Sequence, residues 1–261
     1  MPPAPLALPQ YSLRKILLIW AAVALPMPIM AFWLAPRVAA LLGWNGMITL
    51  WAALILGMAW QFVLSCLLLR PEMAEARRTG WLPRLWVQAP RTPVTHTPNL
   101  RLLAWVLPVV LAGALVEQTP LADLLAAPLL WLAPVLASVP EPQLEALRAP
   151  EFVGAWWLVA MALVSALFNY VLGEELLFRG VLLPRSQAAF GRHDWLANAV
   201  LFACYHLIRP LTVPAILVST AIWVFPARRY RSIWFALIPH AIEGVFMMVL
   251  ITGLVAGLIP V

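Results

Sequence analysis

Charge-free apolar runs divide the chain. They cover 16–36, 38–69, 102–116, 124–140, 152–173, 195–208, 210–227 and 232–261, the last interrupted by Glu243. No stretch alternates apolar and polar residues with a period of two. The runs therefore predict helices and not barrel strands. A bilayer core of about 30 Å takes roughly 20 residues of helix, which most of these runs supply. Trp33, Trp51, Trp105, Trp131, Trp195 and Trp234 fall within or near the predicted helix ends, where interfacial anchors sit. The pattern predicts an all-α polytopic transmembrane helical bundle.

Composition agrees with the pattern. Of 261 residues, 64% are hydrophobic and 11% charged, with a mean hydropathy of +0.90. Soluble domains run at roughly 45–50% apolar and about 25% charged. A water-soluble fold and a disordered chain are excluded. The pI of about 10.1 would suggest a nucleic-acid partner in a soluble protein. Here 16 Arg and one Lys gather in loops, as the cytoplasmic loops of membrane proteins do, and no nucleic-acid partner is expected. Cys66 and Cys204 both lie in apolar runs, which excludes a disulfide scaffold and a CxxC zinc site. Arg14 and Lys15 precede the first run with no small-residue cleavage site behind it, so that run reads as a retained span.

The loop charges set an orientation. Basic residues crowd 70–101, 179–194 and 226–231, whereas Glu117, Asp123, Glu141, Glu145 and Glu151 lie between 117 and 151. A cytoplasmic N-terminus with 117–151 outside satisfies both biases. The run 124–140, with Pro128 and Pro134, then reads as a re-entrant or surface helix, leaving seven crossings. An eighth crossing would put the Arg185/Arg192 and Arg228–Arg231 loops outside. The proline-rich basic loop 70–101 is the seam between a two-span region, 1–100, and a C-terminal membrane unit, 101–261.

Ionisable residues inside spans are costly, about 2.5–3.5 kcal/mol each on insertion scales, and mark function by default. Three places carry them. In Gly173-Glu174-Glu175-Leu176-Leu177-Phe178-Arg179, Glu175 and Arg179 are i,i+4 in the favourable order. Glu174 lies about 100° round the helix, free to point into a cavity. In Phe202-Ala203-Cys204-Tyr205-His206, Phe202 and His206 share a face. In Pro239-His240-Ala241-Ile242-Glu243-Gly244, His240 follows a helix-kinking proline, with Glu243 at i+3. Each alone has a structural reading: a snorkelling helix end, a histidine bound to a carbonyl, a polar helix contact. Together they are accommodated most cheaply in one shared polar cavity. His96 and His193 fall in loops and read as surface histidines.

Ser165, Ser219 and Cys204 lie in spans without a partner base, and there is no GxSxG, HExxH or P-loop. Water remains as nucleophile. Glu174 would act as general base, His206 would share the water or shuttle its proton, and His240 would donate to the developing oxyanion. The reaction class is amide hydrolysis in or at the membrane.

The set EExxxR, FxxxH and a last-helix His resembles the CAAX prenyl protease and bacteriocin-processing (CPBP) family of intramembrane glutamic proteases. The compact length is similar to its bacterial branch. EELLFRGVLLPR carries the closest likeness, and the resemblance spans 152–250. It implies a metal-independent, cofactor-free endopeptidase in a bacterial inner membrane. Glu174 would activate water with His206 as partner, Glu175 and Arg179 would form a supporting pair, and His240 would stand on the oxyanion side. The implied partner is a peptide or protein with a membrane-associated cleavage segment; leader-peptide maturation or trimming of a C-terminal sorting tail fits. The family usually carries Asn or Asp four residues after the last His, where this chain has Gly244. In this reading Glu243 orients His240. Three alternatives stay open: a non-catalytic immunity or assembly protein of the same fold, a zinc-dependent protease using two Glu and two His, and a proton-coupled transporter, for which no inverted repeat is visible.

Overall fold

The computed structural model describes residues 7–139 and 144–259. Glu141 of the acidic segment and the first six residues lie outside them. Among the described residues the chain is helical, with one isolated bridge between Arg91 and Pro98 in place of any strand. Six helices are long and apolar enough to cross a membrane: α1 (Leu13–Leu42), α2 (Gly46–Thr79), α3 (Leu100–Glu117), α5 (Trp157–Arg185), α7 (Pro210–Tyr230) and α8 (Trp234–Val255). Two shorter helices, α4 (Leu121–Leu132) and α6 (Asp194–Tyr205), have 12 residues each.

Local chemistry sets the ends. The Ser12 hydroxyl accepts from the Lys15 amide to start α1. Gly43 closes α1 in the left-handed region at φ 65°, and Asn45 caps α2 by accepting from the Met47 and Ile48 amides. Large apolar side chains such as Leu107, Leu111, Leu115, Val245, Phe246 and Val249 are exposed around the bundle. So continuous an apolar exterior fits lipid and not water. With the helix lengths, it makes this an integral membrane protein.

The sequence predicts seven crossings, and the structure differs at the run 195–208. There α6 stops at Tyr205, too short to span by itself. It begins at the basic end of the bundle, where Arg228 Nε lies 2.6 Å from Asp194. After the turn at 206–209, Pro210–Thr212 packs against Pro134–Ser138 beside the acidic segment. Helix α6 thus ends at Tyr205 and packs against α7, with His206 at its C-terminal cap. The run 124–140 likewise yields only the short α4.

The basic loops gather at one end. Arg91 N–H donates to the Tyr230 carbonyl, Ile233 N–H to that of Trp86, and the Ser232 hydroxyl to that of Gln88. At the opposite end Gly154 N–H donates to the Val255 carbonyl. Arg185, expected in a loop, is instead buried: its Nε and Nη2 lie 2.8 and 2.9 Å from the Glu72 carboxylate, which also pairs with Arg84. One carboxylate neutralised by two guanidiniums ties α2 to the end of α5. The main core joins Ile16, Ile19 and Val23 of α1 and Leu69 of α2 to Leu177, Phe178, Val181 and Leu182 of α5 and Phe202 and Tyr205 of α6.

Candidate active site

Helix α5 carries the first motif on widened turns. Phe168–Gly173 and Glu175–Leu182 are π-helical, a geometry that recurs at functional sites. Glu175 and Arg179 are both 0% exposed and lie 3.1 Å apart. No nitrogen of Arg179 makes a hydrogen bond of good geometry. Its guanidinium lies instead over the Phe202 ring, 3.8 Å from the centroid, so a cation–π contact completes its environment. Glu174, 3% exposed, does not share that pair.

The carboxylate of Glu174 has its own donors. With the amide nitrogen turned toward it, the orientation its neighbours dictate, Asn169 donates to both oxygens at 3.0 and 3.2 Å. Nε2 of His240 stands 3.7 Å away.

Two helices bring the histidines. At the C-terminal cap of α6, His206 Nδ1 lies 2.9 Å from the Phe202 carbonyl. A carbonyl only accepts, so Nδ1 carries the proton and Nε2 is left with a free lone pair. His240, 6% exposed, lies one residue after Pro239 within α8, and its Nδ1 is 3.2 Å from Glu175 Oε1. The Phe202 ring joins these groups, 4.7 Å from the His206 ring and 6.0 Å from that of His240. Thus Glu174, Glu175, Arg179, Phe202, His206 and His240 border one buried cluster.

Glu243 sits at i+3 from His240 on α8. The carboxylate that bonds His240 is that of Glu175, and among the described residues Glu243 makes no hydrogen bond or salt bridge. At the next position the Tyr170 ring occupies the space that a Cβ on Gly244 would need. The same ring meets His240 edge-on at 4.8 Å. A side chain four residues after His240 is therefore sterically excluded while Tyr170 holds this rotamer. Among the described residues no three His, Cys, Asp or Glu side chains are grouped to hold a metal ion.

Sequence reasoning missed Asn169 and Tyr170. In an α-helix a residue five positions away sits about 140° round the axis, which hides the link between Asn169 and Glu174. A π turn bonds i to i+5 and stacks them. Beside the cluster, between α5 and α8, lies an apolar groove of about 610 Å³ lined by Leu167, Tyr170, Val171, Gly244, Val245 and Met248 among others. Tyr170 stands between this groove and His240.

Residues 155–246 match the family model described as Type II CAAX prenyl endopeptidase Rce1-like. That stretch falls within the 152–250 over which the motifs resemble the CPBP family, and it contains every motif residue described above. No curated protein and no solved structure matches the chain.

Proposed function

We propose that this chain is an intramembrane endopeptidase of the CAAX protease type in which Glu174 activates a water molecule against a peptide bond. The observation that carries the reading is the convergence of a buried carboxylate and two imidazoles. Glu174 Oε2 lies 3.7 Å from His240 Nε2, and the Phe202 ring borders both His206 and His240.

Each group has a role its bonding allows. A water held between Glu174 and the free Nε2 of His206 gives its proton to the carboxylate as its oxygen attacks the carbonyl carbon. The carbonyl becomes an oxyanion in a site with little water, where a fixed donor stabilises it far more than solvent would. His240 gives Nδ1–H to Glu175 and, as the imidazolium, donates from Nε2 to that oxyanion. Glu175 balances its charge. The proton on Glu174 then passes to the leaving amine, and the C–N bond breaks. No cofactor takes part.

The substrate is a peptide or protein whose cleavage segment lies in or at the membrane. The apolar groove beside Tyr170 offers such a segment a surface next to the reacting groups. The gathering of basic loops at one end supports a cytoplasmic N-terminus in a bacterial inner membrane. Residues 101–261 form the catalytic unit in this reading.

The test is cleavage of a fluorescence-quenched peptide library by the protein in liposomes, with products read by mass spectrometry. Wild type yields new termini, while Glu174→Ala and His206→Ala, folded to the same extent, yield none. Unchanged turnover in either variant would remove the proposal.

A further inference from the structure

The basic end of the bundle holds a cavity of about 390 Å³ that shares no residue with the cluster around Glu174. Part of its lining is apolar, from Trp86 and from Leu183 and Pro184 at the end of α5. Part is charged, from Asp194 at the start of α6, Arg228 near the end of α7 and Arg231 just beyond it.

The charges do not cancel. Both oxygens of Asp194 are engaged: Oδ2 accepts from Arg228 Nε at 2.6 Å and Oδ1 from the Trp195 amide at 2.9 Å. That pairing leaves the terminal nitrogens of Arg228 without an acceptor among the described residues. Arg231 is half-buried, and among the described residues its side chain makes no hydrogen bond or ion pair. Two guanidiniums against one carboxylate leave the cavity positive, with donors in excess. The residues before Ala7, which also lines the cavity, include no acid. A guanidinium carries only donors and keeps its charge. In a concave, partly apolar setting it calls for an anion with several acceptor oxygens.

The backbone fixes the position of these donors. Among the described residues, three that are not glycine have positive φ: Trp86, His96 and Arg231. Trp86 and Arg231 both line this cavity. Arg231 closes α7 at φ 48° and ψ 49°, in a left-handed conformation that glycine usually fills. Its carbonyl accepts from Gln88 Nε2 at 3.0 Å, and the Trp86 carbonyl accepts from the Ile233 amide at 2.9 Å. Strained residues persist where their surroundings over-determine them, and ligand clamps are one such place. An arginine kept where glycine would be relaxed points to a use for its side chain.

We propose that this cavity binds a phosphate anion, with Arg231 and the terminal nitrogens of Arg228 as its donors. The position favours the headgroup of an anionic phospholipid. Basic loops lie at the cytoplasmic surface, and basic pockets between helices there take such headgroups. Trp86, Leu183 and Pro184 give the glycerol end of a lipid an apolar wall. The proposal is independent of the protease reading.

The test titrates the purified full chain in a non-ionic detergent, read by native mass spectrometry and thermal unfolding. The probes are phosphatidylglycerol, phosphatidylcholine and inorganic phosphate. Phosphatidylglycerol should bind wild type more tightly than phosphatidylcholine and raise its unfolding temperature. Arg231→Gly relaxes the helix end and removes the guanidinium. Without lipid it should unfold no earlier than wild type, yet bind phosphatidylglycerol about tenfold more weakly, the scale of one charge-assisted hydrogen bond. Arg231→Gln is a second variant with the same expected loss. Arg229→Gln, exposed and outside the cavity, should stay within about twofold of wild type, because an exposed charge is screened. Inorganic phosphate that binds with the same dependence on Arg231 would support the site and identify a soluble anion as its source. Phosphate without effect beside tight phosphatidylglycerol would identify the lipid. Equal losses in the Arg229 and Arg231 variants would show diffuse attraction to the basic end and overturn the proposal. Binding indifferent to Arg231, or equal for the two lipids, would overturn it as well.

Discussion

The ring of Tyr170 fills the space that any side chain at position 244 would require. This relationship gives the departure from the family pattern a physical cause. The last helix presents no amide at 244, and the amide nearest the base comes instead from Asn169, on α5. Gly244→Ala should therefore destabilise the protein by about 1–3 kcal/mol, the usual cost of overpacking a close contact. The same substitution in a Tyr170→Ala background should cost much less. Thermal unfolding in detergent of the four proteins in the cycle checks both.

Arg179 is balanced by one carboxylate and one aromatic face. Arg179→Ala leaves Glu175 charged and buried with only His240 beside it, a loss of about 3–5 kcal/mol. The expected result is a sharp drop in folded protein by size-exclusion chromatography. Arg179→Lys should fall between the two, because an ammonium lacks the planar surface that lies 3.8 Å from the Phe202 centroid. Full recovery with lysine would show that charge alone matters there.

Hydrolysis by a carboxylate and imidazoles needs no ion. Peptidase activity should survive dialysis against a strong chelator, and added Zn²⁺ should not increase it. Activity lost on dialysis and restored by Zn²⁺ would return the zinc reading to consideration.

Much of the architecture was legible in the sequence. Charge-free runs located the long helices, and the loop arginines sorted one end of the bundle from the other. The pairing of Glu175 with Arg179 followed from helical spacing, because i,i+4 neighbours remain close even where the turn widens. Phe202 and His206 were legible for the same reason. Asn169 was hidden, since α-helical geometry turns it away from Glu174 and only the π turn brings it back. The buried bond from Gln61 to Tyr205 was hidden because one polar residue in an apolar span reads as a helix contact until its partner is known. The shortness of α6 was also invisible: residues 206–208 still belong to the charge-free run 195–208, although the helix has already ended at Tyr205. Arg185 read as a loop charge because its partner, Glu72, lies 113 residues away in sequence.

The central claim is that Glu174 takes a proton from water. Glu174→Gln keeps the size of the side chain and removes the base, so it tests the claim with little change in packing. Under single-turnover conditions with the quenched peptide library in liposomes, the rate should fall by a factor of about 10²–10⁴, with the unfolding temperature close to that of wild type. A rate within about twofold of wild type, less than the loss of a single hydrogen bond would give, would contradict the account.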